Sequence, residues 1–179
     1  MPILPVLIAA SQLAALPAPA SRVCSAVEVV APEQRKATKK RKFSAKKTLD
    51  LQLHTYLRSR RSISGDHLLH LKLYTPRGYL YQTITVPFYR QPRQAEKPRP
   101  EDLEFEPVRV VPGFPRALDV QKTTRVREGR RRFDQVTARL PVAGTSITLG
   151  SLFGRWTVVP FLDDGTAPCG RSRRFSILE

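Results

Sequence analysis

Two blocks of the chain alternate apolar and polar residues with a period of two. In the first, Leu49, Leu51 and Leu53 alternate with Asp50, Gln52 and His54, and the pattern continues past Thr55 to Tyr56 and Arg58. A half-buried antiparallel strand has this pattern, because successive side chains leave opposite faces of the pleat. Ser62 to Asp66 breaks it as a turn. His67 to Tyr74 predicts a second strand, with Leu69, Leu71 and Leu73 on one face. Thr75-Pro-Arg-Gly78 places proline second and glycine fourth in a turn, as type I geometry favours. Tyr79 to Val86 predicts a third strand, stopped by Pro87, so that the two strands around this turn form a hairpin. The second block, Phe133 to Glu179, contains Val136–Val142, Ala143–Leu149, Phe153–Phe161 and Arg174–Leu178, separated by Gly and Asp turn residues. It predicts three or four further strands, with Trp156, Val158 and Phe175 in the core.

Residues 90–132 separate the blocks. Pro92, Pro98, Pro100, Pro107, Pro112 and Pro115 punctuate them, and proline removes a ladder donor, which bars a long central strand. This predicts an insertion crossing the surface, with one or two edge strands. The expected organisation is a leader at 1–20, a basic disordered linker at 21–47, and one β-sandwich at 48–179 interrupted by the insertion at 90–132.

The leader reading rests on Ile3–Ala10 and Leu13–Leu16, an apolar run with no charge before Arg22, followed by small residues at Ala18 and Ala20. These are features of a cleavable export signal, although no basic residue precedes the run and Pro5 interrupts it. The run is too short and interrupted to span a bilayer. An exported chain would reach the periplasm or cell surface.

Charge sharpens the picture. The 179 residues include 31 Lys plus Arg against 15 Asp plus Glu, a net charge of +16. Residues 35–47 hold eight cations in thirteen positions, while 133–179 are nearly balanced, with five basic and four acidic residues. The density in the first run favours a solvated arm. Lys36, Lys39, Lys40, Arg41, Lys42, Lys46 and Lys47 are candidate polyanion contacts. So are Arg130, Arg131 and Arg132, in a second basic run at 125–132. Such contacts act through counterion release and weaken with salt. A plain solvated linker or strand flank remains the alternative for both runs.

Little in the sequence points to catalysis. There is no G-x-S-x-G elbow and no glycine-rich phosphate loop. His54, His67 and His70 are the only histidines. His67 and His70, three apart, fall on opposite faces of a strand, so no metal ligand set and no catalytic residue is assigned, and no cofactor is expected. Cys24 and Cys169 form no C-x-x-C pair; a single disulfide between them and two free thiols both stay open.

In the last block, Leu152-Phe-Gly-Arg-Trp-Thr-Val158, then Phe161-Leu-Asp-Asp-Gly165 and Phe175-Ser-Ile-Leu178, resembles the closing hairpin of bacterial immunoglobulin-like domains. The resemblance implies that Gly154 permits a tight start to the strand, that Trp156 and Val158 point inward and that Asp164-Gly165 turns the hairpin. Residues 49–90 and 133–179 together supply 89 residues, close to the roughly 100 of such a sandwich. A second resemblance is to the jelly-roll P domain of bacterial proprotein-convertase-like proteases, through Gly65-Asp66, Thr75-Pro-Arg-Gly78 and Gly154-Arg-Trp156. The chain departs from that pattern in its long insertion and short final segment. Both families supply binding or accessory modules. The expectation is an exported, non-catalytic all-β module, antiparallel and immunoglobulin-like, with six to eight strands, whose partner is an unknown protein or a polyanionic surface. The alternative is a basic protein that binds nucleic acid or another polyanion through its Lys/Arg-rich segments.

Overall fold

A computed structural model describes residues 23–33, 41–58, 63–92 and 105–179. The expected leader, Met1 to Ala20, lies outside them. The described residues are all-β apart from short helical turns. Strands are β1 (Cys24–Val30), β2 (Lys42–Ser44), β3 (Asp50–Arg58), β4 (Gly65–Tyr74), β5 (Leu80–Arg90), β6 (Val108–Arg109), β7 (Leu118–Asp119), β8 (Gln121–Lys122), β9 (Thr124–Glu128), β10 (Arg131–Pro141), β11 (Gly154–Leu162) and β12 (Arg173–Leu178). Four of them form one sheet in the order β1-β3-β10-β9, and six form another in the order β2-β12-β11-β4-β5-β8. The strands β6 and β7 pair only with each other. Pairing is antiparallel except at the two margins of the larger sheet, where β2 runs parallel to β12 and β8 parallel to β5.

Both sheets turn apolar side chains into one cluster. Val27, Val29, Leu51, Leu53, Leu57, Val136 and Leu140 come from the smaller sheet, and Phe43, Leu69, Leu71, Leu73, Phe88, Trp156, Val158, Phe175 and Ile177 from the larger. Trp156 is fully buried. Its indole N–H donates to the Leu152 carbonyl at 2.9 Å, and Tyr81 packs edge-on at 5.1 Å. Burying an indole while satisfying its one polar group is the favourable case for tryptophan.

The structure departs from the sequence reading at several places. The stretch 21–47, expected as disordered linker, contributes β1 and β2. Val27 and Val29 reach the cluster because β1 pairs along β3, and Phe43 does so beside Phe175. On β3 the inward residues are Leu51, Leu53, Thr55 and Leu57, while Leu49 is exposed and Tyr56 faces outward to Glu28. Strict alternation continues through the polar Thr55, so the apolar Tyr56 falls on the other face.

Nor does Pro87 stop β5, which continues to Arg90. Pro87 lies opposite Leu68, whose N–H and C=O both turn the other way, to Asp163. The pair is therefore a non-hydrogen-bonded one, and the missing proline donor costs the β4–β5 ladder nothing. Pro160 inside β11 follows the same rule, its carbonyl accepting from Cys169 on the side away from β4. Residues 146–149 form a helical turn, α1 (Ser146–Leu149), because the Thr145 hydroxyl caps the Ile147 N–H. The β11–β12 connection runs through residues 163–172 instead of closing at Asp164-Gly165.

Within the insertion, β8 extends the larger sheet and β9 the smaller. The chain changes sheets between Lys122 and Thr124, with the Thr123 N–H bonded to the Tyr89 carbonyl and the Gln121 side chain accepting from the Thr137 N–H. At one end of the molecule Cys24 and Cys169 form a disulfide. It ties β1 of the smaller sheet to the segment after β11 in the larger. Gly170 is required beside it, since a Cβ there would fall on the Cys24 carbonyl oxygen and 2.8 Å from its Cβ. Among the described residues no helix is long and apolar enough to cross a membrane.

A cross-link spanning 145 residues constrains the unfolded chain strongly. Replacing both cysteines by serine is expected to cost about 2–5 kcal/mol of unfolding free energy. The sole tryptophan makes its fluorescence a direct probe in a denaturant titration. A loss under about 0.5 kcal/mol, the range of ordinary surface substitutions, would show that the sheets are held without the bond.

Candidate anion-binding face

The end of the molecule that holds the disulfide also gathers the polar side chains most constrained by their surroundings. Cys24, Leu57 and Asp134 lie side by side across β1, β3 and β10. Asp134 points inward and meets Arg90 of the other sheet, Nε to Oδ2 at 2.8 Å, with side-chain exposures of 4% and 1%. An Arg90 Nη1 also donates to the Ser64 hydroxyl at 3.1 Å. The burial of Arg90 follows from β5 running three residues beyond Pro87.

His67 and His70 do occupy opposite faces of β4, yet both hydrogen-bond to one residue, Asp163. The His67 Nδ1 lies 3.0 Å from the Asp163 carboxylate, and the His70 Nε2 lies 2.9 Å from the Asp163 carbonyl oxygen. Asp163 spans both because it takes up a left-handed backbone at φ 55, which turns its side chain one way and its carbonyl the other. Partial burial alone would raise its carboxyl pKa, but the hydrogen bond and charge of His67, the Leu68 amide and Arg109 outweigh this and hold it below the ordinary range. Asp66 moves the opposite way, raised first by burial and also by Glu106 against the pull of Arg109 and His67.

The histidine–carboxylate pair has the form of a general base and its orienting group, but its other nitrogen points at a backbone oxygen. The His67 Nε2 lies 3.2 Å from the Ser64 carbonyl oxygen, and the Ser64 hydroxyl accepts from Arg90. The network anchors the start of the 163–172 connection. On the outer face of the smaller sheet, burial lowers the His54 pKa against the influence of Glu28, and burial together with the Glu28 hydrogen bond raises that of Tyr56. Among the described residues no group of three or more metal-binding side chains is formed.

The basic residues divide into separate groups. Lys36, Lys39 and Lys40 lie outside the described residues. Lys46 pairs with Glu179 at 3.7 Å, both side chains well exposed, and Lys47 is exposed nearby. Arg130, Arg131 and Arg132 are strung along the turn and start of the β9–β10 hairpin, where alternation sends neighbours to opposite faces. Arg41 and Lys42, in contrast, meet two arginines from the far end of the sequence, Arg155 on β11 and Arg174 on β12.

Pairing explains this convergence. Ser176 stands between Lys42 on one side and Arg155 on the other, and Arg174 is two residues before it on the same face of β12. With Phe43, Trp156, Phe175 and Ile177 turned into the core, their alternating neighbours must face out. The four cations line a shallow depression of about 360 Å³ with Ser176. Lys72 and Lys122 are placed differently, over the rings of Phe161 and Phe105 at 4.2 Å and 4.1 Å. Arg155 and Arg174 were not singled out in sequence. The available signal was their position between core aromatics, but the partner strand was unknown.

The fold and this face together define an all-β chain with a cationic sheet surface. Compared with known proteins, the chain matches no family model, no curated protein and no solved structure.

Removing one member of the buried cross-sheet pair strands a charge, so Asp134→Ala is expected to cost about 3–5 kcal/mol in denaturant unfolding, whereas Arg90→Met with Asp134→Leu recovers a large part of it. Equal losses in the single and double variants would mean the pair's charges are not coupled. A second expectation concerns acid. The Asp163 pKa is depressed on folding, so its stabilisation is present above the ordinary value of 3.8 and is lost as pH falls through the folded value. Below about pH 4 the wild type should therefore lose stability more steeply than Asp163→Asn. Parallel curves would exclude this carboxylate from the acid limb.

Proposed function

We propose that the chain is an exported, non-catalytic binding module with an immunoglobulin-like sandwich fold, acting in the bacterial periplasm or at the cell surface on a polyanionic partner. The observation that carries the reading is the Cys24–Cys169 disulfide, which joins the two sheets. Such bonds persist in oxidising compartments and are rare where thiols are kept reduced. Both cysteines are buried, and Cys24 begins just after the expected leader. Two mostly antiparallel sheets around one apolar cluster support the sandwich part of the reading. Lys42, Arg155 and Arg174 of the larger sheet, which have no ion pair among the described residues, support the choice of partner.

A second reading, an intracellular protein that binds nucleic acid through its basic segments, draws on the same charge. Only Phe43 interrupts the first basic run, and it is buried against Phe175. Base stacking on that run therefore has no platform.

The full-length chain should be expressed in a bacterial host and its mass measured after fractionation. The expected result is recovery outside the cytoplasm, a mass lacking residues 1–20 and no reactive thiol before reduction. A full-length, reduced, cytoplasmic product would favour the second reading.

A further inference from the structure

We propose that the depression lined by Arg41, Lys42, Arg155 and Arg174 is a binding site for the sulfate or phosphate esters of an acidic glycan. The inference rests on the binding-module reading for its setting and adds the site and the ligand class. Three guanidinium groups and one ammonium line it, from the adjacent strands β2, β12 and β11 and from Arg41 just before β2. A guanidinium presents a planar fork that grips two oxygens of a tetrahedral oxyanion at once, a geometry a lone ammonium lacks. Among the described residues none of the four cations has a carboxylate within ion-pair distance, although Lys46 one turn further on is paired with Glu179. Holding like charges together on a rigid surface is unfavourable unless an anion neutralises them.

The position of the cations is set by the sheet and does not depend on any one of them. Strands lie about 4.8 Å apart and same-face neighbours along a strand about 6.5–7 Å apart. Lys42, Ser176 and Arg155 form one row across β2, β12 and β11, and Arg174 begins the next. An extended polymer bearing an ester at each short repeat can meet more than one cation without bending. The chain also enters β2 directly from the basic run 35–40, which is continuous with Arg41 in sequence.

Two features select a glycan over a nucleic acid. Phe175 is the one aromatic residue of the depression and is 2% exposed, so no ring is offered to a base. Hydroxyl groups are interleaved with the cations instead: Ser176 lines the depression, while Ser44 and Thr157 continue the same face on the flanking strands. These can exchange hydrogen bonds with sugar hydroxyls as readily as with water.

The test uses the disulfide-bonded chain and a dextran sulfate oligosaccharide, titrated calorimetrically at several salt concentrations. The expected result is salt-sensitive binding that falls at least tenfold in Arg155→Ala with Arg174→Ala. The slope of log K against log salt should become shallower by roughly 0.7 per cation removed, the value for a flexible polyanion. Because both arginines are exposed, circular dichroism and the unfolding midpoint should be unchanged. The triple variant Arg130→Ala, Arg131→Ala, Arg132→Ala should bind within about twofold of wild type.

If the triple variant loses binding and the double variant does not, the site assignment falls while a polyanion-binding module stands. A single-stranded oligonucleotide, or vesicles containing phosphatidylglycerol, binding more tightly than the oligosaccharide at equal salt would overturn the glycan assignment. No binding by an exported, folded chain would overturn the inference and leave the export reading untouched.

Discussion

The Arg90–Asp134 pair is the constraint around which the two sheets are set. It is one of the few places where a charged side chain of each sheet is taken out of water, and a buried ion pair tolerates little displacement, because separation leaves two uncompensated charges. Its presence fixes more than distance. Asp134 sits on β10 opposite Leu57, which in turn lies opposite Cys24, while Arg90 ends β5 opposite Gly65 at the start of β4. A slip of one residue in β10 or β5 would turn Asp134 or Arg90 to the outer face and bury a neighbour in its place. The pair therefore reinforces the register that the alternating apolar residues of β3 and β10 already specify.

The disulfide and the histidine network act at the same end of the molecule. Cys169 is positioned by its N–H bond to the Pro160 carbonyl, and the segment leading to it begins at Asp163, held by His67, Leu68 and His70. Covalent, ionic and hydrogen-bonded links thus converge on one end. The other end relies on Trp156, with Tyr81 against its ring and the Tyr81 hydroxyl 2.7 Å from that of Ser146. The lateral margins are closed by the chain itself. It passes from β8 in one sheet to β9 in the other, and the opposite margin is formed by β1 and β2. Short, basic or covered edge strands resist pairing with other chains.

What could be read from sequence was whatever depended on neighbours along the chain. Leu69, Leu71 and Leu73 declared their face by alternation, and all three are fully buried. The Thr75–Gly78 turn was legible from Pro76 and Gly78 alone, and the Gly78 N–H bonds to the Thr75 carbonyl. What depended on partners far away was not legible. Val27 and Val29 make too short an apolar run to announce a strand, and they become one only beside β3. Pro87 looked like a stop because its missing donor matters only if the ladder needs it there. Arg155 and Arg174 are separated from Arg41 and Lys42 by more than a hundred residues, and only the parallel pairing of β2 with β12 brings them together. Lone basic residues between core aromatics look like ordinary outward positions until the strand order is known.

That strand order also explains why the charge collects where it does. The outer side of β11 is apolar toward its end, where Val159 and Phe161 are buried and Phe161 bridges to Pro168. The 163–172 connection leading to the disulfide pairs along the edge of that part of β11, and Lys72 covers the Phe161 ring. On the other half, before Thr157, the alternating outward positions of three strands are Lys42, Arg155, Arg174, the hydroxyl residues Ser44, Thr157 and Ser176, and the half-exposed Leu178. Solubility would be served as well by carboxylates interspersed among these cations, and like charges on adjacent strands disfavour the sheet. The same chain places Glu128 opposite Arg131 elsewhere. Among the described residues, no carboxylate lies within ion-pair distance of Lys42, Arg155 or Arg174 on this stretch, so the repulsion between them is left to solvent and salt to screen.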